Sequence, residues 1–267
     1  MCLIVLGWKV IDQKPLVLAA NRDEFHQRPT TPSTFWPGHP ELLAGRDLEA
    51  GGTWMGVSRY GRFAAVTNFR DPAQTAPAKR SRGDLPLGYL ASDITASEYL
   101  QRVAIAAGDY AGFNLLLGTG EELWYYSNRL QGEPPRALPP GIYGLSNERL
   151  DTPWPKVVRA RSQLAELIAG EAIDHATLGA TVANRGPAAE HELHPSEHGA
   201  QMDRRLSAQF IVTPDYGTRA TTTLWLQRPH NNHGSLKIEW QETHFDRSGH
   251  TVGQNHHSFH TAQASGV

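Results

Sequence analysis

The sequence contains a single cysteine, and it is the residue that follows the initiator methionine. Methionine aminopeptidases remove Met1 before small residues, so one residue, Cys2, could carry both a thiol and the chain's α-amine. A free α-amine has a pKa of about 7.7–8.0 and a thiol one of about 8.5, so the amine can accept the thiol proton at little cost. A terminal amine is an established activating base, which makes Cys2 a candidate nucleophile. The alternative is a small hydrophobic residue in a buried strand, as lone cysteines often are.

The elements that must position Cys2 form a predicted hairpin at the start of the chain. Residues 2–10 and 16–20 are β-rich, “DQKP” between them is typical of a turn, and the polar run “NRDE” follows at 21–24. Antiparallel pairing brings the end of the second strand back beside Cys2, so we expect Asp23 to lie near it. A carboxylate there could hold the α-amine by a charge-assisted hydrogen bond. A polar loop capped by Asn21 and Asp23 is the alternative.

The composition of the chain argues against several classes of protein, namely nucleic-acid-binding, disulfide-rich and membrane-spanning proteins. The 25 basic and 27 acidic residues nearly cancel, so no basic stripe suggests a nucleic-acid partner. One cysteine excludes an internal disulfide framework and a cysteine-based zinc site. No apolar run approaches the ~20 residues that span a bilayer, and the start of the chain lacks the ordered regions of a signal peptide. We therefore expect a soluble, cytoplasmic protein with a small-molecule partner, no transmembrane segment and no cofactor.

The order of the remaining elements predicts the architecture. Hairpin-forming strands occupy residues 51–58 and 62–69, and helical spacing marks residues 85–107, 154–168 and 175–183. Residues 29–40 are predicted as a loop, and “LSAQFIV” at 206–212 as one of three closing strands. About ten strands with helices inserted in the middle favour antiparallel sheets over βαβ units. The predicted fold is α+β, a four-layer αββα sandwich of two antiparallel sheets, with one domain over residues 1–246 and a disordered tail over 247–267.

Two further stretches are candidates for ligand contacts. The run “AKRSRGD” places Arg82 in a cationic loop that could hold a phosphate or a carboxylate, although such runs are often simply solvated. Trp54 in “GGTWMG” is either a core residue or part of a pocket wall. The “GGTWMG” stretch lacks the glycine spacing and the following helix of a dinucleotide-binding loop.

The histidines do not predict a metal site. His191, His194 and His198 are close in sequence, but Pro195 breaks the helix that would align them. Histidines at 256 and 257 fall in the predicted disordered tail.

Several long motifs resemble those of one family. They are “MCLIV”, “LVLAANRDEFHQRPT”, “AGRDLEAGGTWMGVSRYGRFAAVTNFRDP”, “SRGDL”, “GFNLLLG”, “GIYGLSNERLDTPWPKV” and “YGTRATTTLWL”. The chain resembles the NRDE family, also called the Transport and Golgi organisation 2 family, from Met1 to about residue 245. That family is similar to the N-terminal nucleophile hydrolases, nearest the choloylglycine hydrolase and penicillin V acylase branch. The resemblance implies an αββα sandwich with an N-terminal cysteine nucleophile.

Matched motif by motif, the resemblance implies a catalytic role for five residues: Cys2, Asp23, Asn68, Asn147 and Arg219. Cys2 would attack an acyl carbonyl, and Asp23 would orient its amine. Asn68 and Asn147 would stabilise the tetrahedral oxyanion. Arg219 would balance charge or hold a substrate carboxylate. Taken singly, each asparagine is also typical of a turn at a strand end.

The chain departs from this branch at one position. The branch's first arginine falls on Ala20, and Arg22, two residues along and so on the same face of the strand, is the candidate replacement. Substrate contacts are expected from four residues: Asn21, Arg22, Trp54 and Arg82.

Two functions remain open at this point. The first is cysteine-dependent hydrolysis of an amide or thioester acyl bond, which the expected proximity of Cys2 and Asp23 favours. The second is non-catalytic binding and trafficking of haem or of an acyl-CoA or other lipid on the same scaffold, because fold does not settle function. The departure at Ala20 and the resemblance's links to haem and lipid handling favour the second. A purely structural protein would leave the polar cluster beside Cys2 unexplained.

Overall fold

Two antiparallel sheets and the helices that cover them make up the protein, in a computed structural model that describes residues 2–70, 77–170, 173–193, 200–228 and 235–262. The strands of these residues are β1 (Cys2–Ile11), β2 (Lys14–Phe25), β3 (Thr30–Trp36), β4 (His39–Asp47), β5 (Met55–Ser58), β6 (Phe63–Asn68), β7 (Phe113–Gly118), β8 (Leu123–Ser127), β9 (Arg136–Ala137), β10 (Gly141–Leu145), β11 (Tyr216–Gln227), β12 (Lys237–Phe245) and β13 (Thr251–His260). The α-helices are α1 (Asp84–Leu90), α2 (Ala96–Ile105), α3 (Pro155–Ala169), α4 (His175–Ala180) and α5 (Ala200–Leu206). Within the described ranges, no helix is long and apolar enough to cross a membrane.

The strand order keeps the start of the chain in the middle of a sheet. The first sheet runs β10–β1–β2–β11–β12–β13, and the second runs β3–β4–β5–β6–β7–β8–β9. The strand pairs of both sheets are antiparallel. β1 therefore has a hydrogen-bonded neighbour on each side, β10 and β2, and Cys2, at the beginning of this interior strand, pairs with β2.

Alternation along β1 builds two layers of core at once. Successive side chains of a strand point to opposite faces. Ile4, Leu6 and Trp8 pack into the core between the two sheets, whereas Leu3 and Val5 pack outward against residues of α3 and α4. The predicted hairpin is thus confirmed.

The second sheet is covered on its outer face by α1 and α2. Leu85 and Tyr89 of α1 and Leu100 of α2 share a buried cluster with Leu115 of β7. Thr95 is the N-cap residue of α2, and its side-chain oxygen accepts a hydrogen bond from the backbone N–H of Glu98. With α3 and α4 on the first sheet, the layers are helix, sheet, sheet and helix, which confirms the predicted αββα sandwich.

Two segments differ from the sequence-based expectation near the sheets. Residues 29–40 contain β3 and the start of β4 rather than only a loop. β3 is an edge strand, and an edge strand tolerates a proline such as that at position 32. Conversely, “LSAQFIV” is not a strand: its apolar residues Phe210 and Ile211 are buried outside the two sheets' ladders.

The end of the chain also departs from the expected disorder of residues 247–267. Thr251 to His260 form β13, which pairs with β12 from Lys237 to Phe245. β13 is mostly polar and none of its residues is fully buried, so its sequence lacks the regular hydrophobic alternation of most strands, and only Phe259 packs against the core between the sheets. Backbone hydrogen bonds to a neighbouring strand hold it instead. Residues 263–267 lie outside the described residues.

Candidate active site

Cys2 lies at the head of β1, beside the polar end of β2. The strand register pairs Cys2 with Arg22, and the backbone N–H of Asp23 donates a hydrogen bond to the Cys2 sulfur. On its other side the Cys2 carbonyl accepts a hydrogen bond from Ser146 Oγ at 2.9 Å. The antiparallel hairpin therefore does bring the only cysteine and the predicted carboxylate together.

The Asp23 carboxylate is buried and held by the neighbouring strand. Its Oδ1 accepts a hydrogen bond from Thr218 Oγ1 at 2.7 Å, and its backbone carbonyl accepts one from the Tyr216 hydroxyl at 2.9 Å. Burial raises the pKa of Asp23 to about 6, although the positive charge of the chain's amino terminus and that of Lys156 oppose the rise. At neutral pH Asp23 is consequently mainly a carboxylate, but it sits close to its titration point.

Lys156 is a cation of this site that the sequence did not single out. It lies in the first turn of α3, on the buried stripe that continues through Val157, Ala160 and Leu164. Among the described residues its Nζ has no hydrogen-bond partner. Burial lowers the pKa of Lys156, while the charges of Asp23 and Cys2 raise it. A lysine on the apolar face of a helix, near the positive end of the helix dipole, was the signal available in the sequence.

The Cys2 thiol is stabilised in its neutral form by its surroundings. Burial raises the pKa of Cys2, against the lowering effects of the amino-terminal charge, the Asp23 N–H and Arg22. Cys2 as a whole residue is nevertheless partly exposed and lines a cavity. A thiol in this setting needs a base to become a nucleophile, because the thiolate is the reactive form.

The cavity beside Cys2 is large enough for a small-molecule ligand and rich in arginine. Its volume is about 520 Å³, and the residues predicted as site residues that line it are Cys2, Arg22, Asp23, Trp54, Asn68, Arg82 and Arg219. Its wall includes six arginines, at positions 22, 28, 46, 80, 82 and 219, against four acidic residues, at positions 23, 24, 47 and 242. The cavity wall therefore carries an excess of positive charge.

Three of these arginines, Arg46, Arg82 and Arg219, form no ion pair among the described residues, and Arg46 donates to the Gly51 carbonyl. Arg28 is paired with Asp47 at 2.7 Å. Arg82 instead donates to the Gly112 carbonyl at 3.1 Å, and Arg219 donates to the carbonyls of Phe25 and Arg28. In the part of the chain that the structure describes, no carboxylate lies within the 4.0 Å ion-pair distance of either guanidinium. Arg82 and Arg219 are thus available to an anion in the cavity.

Arg219 owes its position to an irregularity in the sheet. β11 pairs with β2 as Thr218 to Asp23 and then as Ala220 to Arg22, so Arg219 is one extra residue that the ladder skips. Such a β-bulge leaves the inserted residue unpaired and redirects its side chain. Here the bulge brings the guanidinium to the cavity that Cys2 lines.

Asn68 and Asn147 are brought together, but they are not equivalent. Asn68 ends β6 and lines the cavity. Asn147 is buried: its Nδ2 donates to the Asn68 carbonyl at 3.0 Å, and its Oδ1 accepts from Ser146 Oγ at 3.0 Å. Asn147 lines a second, smaller cavity of about 50 Å³ together with Lys156. In this arrangement Asn147 positions Asn68 rather than facing the large cavity.

Asn21 lies among internal partners instead of facing the cavity. Its Nδ2 donates to the carbonyls of Val182 and Gln209, each at 2.8 Å, and its Oδ1 accepts from Thr221 Oγ1 at 2.7 Å. These contacts tie β2 to the segment that follows α4. These contacts favour a structural role for Asn21 over the expected contact with substrate.

Ala20 stands where the branch has its first arginine, and Arg22 lies two residues farther along the same strand. Ala20 is completely buried in the core between the sheets. Arg22, two residues on, opposes Cys2 in the strand register, lines the cavity, and lies 4.0 Å from Glu24. A cation is consequently present beside Cys2 even though Ala20 provides none.

Within the described residues, the histidine cluster at positions 191, 194 and 198 contributes no residue to the lining of this cavity. His191 is exposed in a short 3₁₀ turn, Glu190–Glu192, and His194 and His198 lie outside the described residues. None of the described histidines except His244 lines the large cavity.

Comparison with known proteins identifies the family and the fold of the chain. A family profile described as Transport and Golgi organisation 2 matches residues 1–238. The human and the bovine Transport and Golgi organization protein 2 homologs are each 37% identical, over 228 and 225 residues, covering 78% of this chain and 81% of each relative.

A solved structure shares the overall fold. A mutant conjugated bile acid hydrolase from Clostridium perfringens aligns with 99% of both chains at a TM-score of 0.52, with 9% sequence identity. At this identity the likeness concerns the arrangement of strands and helices only.

Proposed function

Because the chain belongs to the Transport and Golgi organisation 2 family and shares the fold of a bile acid hydrolase, we propose that it is a cysteine N-terminal nucleophile hydrolase. The proposed reaction is cleavage of an amide or thioester acyl bond. The observation that carries the proposal is the hydrogen bond from the Asp23 N–H to the Cys2 sulfur, at the wall of a cavity of about 520 Å³.

The first step of the proposed reaction is attack by Cys2. Once Met1 is removed, the α-amine belongs to Cys2 and takes the proton of its thiol as Sγ forms a bond to the acyl carbonyl carbon. The carbonyl oxygen becomes an oxyanion. When the intermediate collapses, the C–N or C–S bond breaks, and the α-ammonium returns the proton to the leaving amine or thiol. Water then attacks the acyl carbon of the thioester while the α-amine takes a proton from it. The C–S bond to Cys2 breaks, the free acid leaves, and the Cys2 sulfur regains its proton from the α-ammonium.

The charges around Cys2 fit the demands of this step. The α-amine must be neutral to accept a proton and charged immediately afterwards. Asp23, which lies beside Cys2 at the end of β2, would orient the amine and stabilise the ammonium. Lys156, buried in the field of the same carboxylate, would keep Asp23 ionised. Neither residue has to form a bond to the substrate.

The oxyanion would be stabilised from the end of β6. Asn68 lines the cavity, and its carbonyl is held by Asn147. A single oxyanion donor contributes about 2.7–4 kcal/mol to transition-state stabilisation in other acyl-transfer enzymes. We assign the donor role to Asn68 and the positioning role to Asn147.

The test begins with maturation and then asks for turnover. Intact-mass measurement of the protein isolated from its own cells should find the chain without Met1. Wild type, Cys2→Ala and Cys2→Ser are then incubated with a panel of N-acyl amides and acyl thioesters that carry a carboxylate or phosphate group. Release of the free acid by wild type and its loss in Cys2→Ala are expected. Full retention of Met1, or equal release by Cys2→Ala, would overturn the proposal.

A carrier function is the second candidate, and one observation favours it. Burial raises the pKa of Cys2, so the resting protein holds a neutral thiol beside two arginines, Arg82 and Arg219, that are available to an anion. Such a cavity could hold the carboxylates of haem or the phosphates of an acyl-CoA without turnover. Equal binding of these ligands by wild type and Cys2→Ala, with no acid released by either, would favour the carrier.

A further inference from the structure

Two histidines and a glutamate from three separate elements meet on the outer face of the first sheet. They are His175 at the start of α4, Glu239 on β12 and His256 on β13, and one ligand atom from each lies within 4.8 Å of the other two. We propose that these side chains form a binding site for a divalent transition metal ion, with Zn²⁺ as the best match. The site is distinct from the Cys2 cavity and does not depend on the proposed hydrolase function.

The spacing of the cluster suits tetrahedral zinc. Zinc bonds of about 2.0–2.1 Å place neighbouring ligand atoms about 3.3 Å apart. His256 Nε2 and Glu239 Oε2 are already 3.2 Å apart. The third ligand atom, from His175, lies no farther than 4.8 Å, so a side-chain adjustment of about 1.5 Å would complete three protein ligands.

The ring of His175 has one nitrogen within hydrogen-bond distance of a protein partner, whereas the other has no such partner among the described residues. Its Nδ1 is 2.7 Å from Thr223 Oγ1, and its ring packs on Trp225 with centroids 4.4 Å apart. Its Nε2 is buried and has no hydrogen-bond partner among the described residues. A buried polar atom without a partner is uncommon in a folded protein. A metal ion would satisfy this nitrogen, and the bond from Nδ1 would fix the ring for it.

Glu239 is arranged in the same way. One carboxylate oxygen, Oε1, is held by Lys237 Nζ at 2.6 Å and by Ser258 Oγ at 2.8 Å. The other, Oε2, faces His256. The partners on Oε1 would keep the carboxylate oriented while Oε2 binds the ion.

The exposure of the cluster leaves a route for the ion and room for water. The His256 side chain is 50% exposed, whereas that of Glu239 is 10% exposed. Zinc sites with three protein ligands usually complete their coordination with water. Since the three ligands come from a helix, an inner strand and the edge strand, a bound ion would tie α4 and β13 to the sheet.

Zinc titration of the metal-free protein tests this proposal. The full chain is dialysed against EDTA and then titrated with ZnCl₂ in a calorimeter, with a chromophoric chelator as competitor. His256→Gln and Glu239→Gln are compared with wild type. The matched control is His257→Gln, the neighbouring imidazole on the opposite face, whose Nε2 lies 3.3 Å from the Ser33 carbonyl. Circular dichroism verifies that each variant is folded.

We expect wild type and His257→Gln to bind one equivalent of Zn²⁺ that His256→Gln and Glu239→Gln lose or bind at least about tenfold more weakly. Zinc should raise the melting temperature of the first pair only. The proposal is overturned if wild type binds no zinc, if the ligand variants bind like wild type, or if His257→Gln loses the same equivalent.

Discussion

Replacing Asp23 with asparagine should change how the stability of the protein depends on pH. Asp23 is 2% exposed, and its pKa is raised from 3.8 to about 6, chiefly by burial. The folded protein therefore binds this proton more tightly than the unfolded chain does. The carboxyl group contributes its full stabilisation below the pKa of the unfolded state, and that contribution is lost as the pH rises through about 6.

The size of the effect follows from the shift. One pKa unit corresponds to 1.36 kcal/mol, so a rise of about two units is worth about 3 kcal/mol. Asp23→Asn keeps the shape of the side chain and cannot titrate. Relative to this variant, the free energy of unfolding of wild type should fall by about 2.4 kcal/mol between pH 4 and pH 7, because at pH 4 the unfolded chain has already lost part of its protons.

Urea denaturation at pH 4, 5, 6 and 7 measures this difference directly. The free energy of unfolding of Asp23→Asn is subtracted from that of wild type at each pH, so that groups common to both proteins cancel. Asp93→Asn, at an exposed position, corrects for the loss of one carboxylate. A difference that stays flat would refute the reasoning. A difference that grows with pH would show that the ammonium and Lys156 outweigh burial.

Other variants test the neighbouring charges. Lys156→Met removes a cation that lowers the pKa of Asp23, so the same pH-dependent fall in stability should move to higher pH; an unchanged midpoint would contradict the assignment. Arg82→Gln and Arg219→Gln should each weaken binding of a carboxylate- or phosphate-bearing ligand by about 10–100-fold, since a hydrogen bond to a charged group is worth about 1.5–3 kcal/mol. Arg102→Gln on the exposed side of α2 is the control, and equal losses in all three variants would indicate nonspecific charge attraction.

The central pair of the site could be predicted because it depends on local geometry. Cys2 and Asp23 belong to one hairpin, and antiparallel pairing fixes which end of β2 returns to Cys2. The turn between the strands is short, so few registers were available.

Lys156 and the role of Asn147 could not be predicted in this way. Lys156 comes to Asp23 from α3, far along the chain, and its approach depends on how that helix packs on the first sheet. Asn147 has the residue type of an oxyanion donor, but its partner is the Asn68 carbonyl. The direction of a side chain at a turn depends on tertiary contacts, which cannot be deduced from the spacing of residues in the sequence.

The histidine cluster was missed for a different reason. His256 falls in a segment whose Gly, Ser, His and Gln content is typical of disorder. In the structure the segment is β13, which pairs with β12 through backbone hydrogen bonds. Amino-acid composition gives no information about such backbone pairing. Once β13 is placed, Glu239 and His175 become its neighbours.

The bulge at Arg219 separates the chemistry of the cavity from the construction of the sheet. Because Thr218 and Ala220 pair with consecutive residues of β2, the residue between them could be exchanged or deleted while the strands on either side keep their partners. A one-residue deletion of Arg219 should yield a folded protein that has lost affinity for anionic ligands.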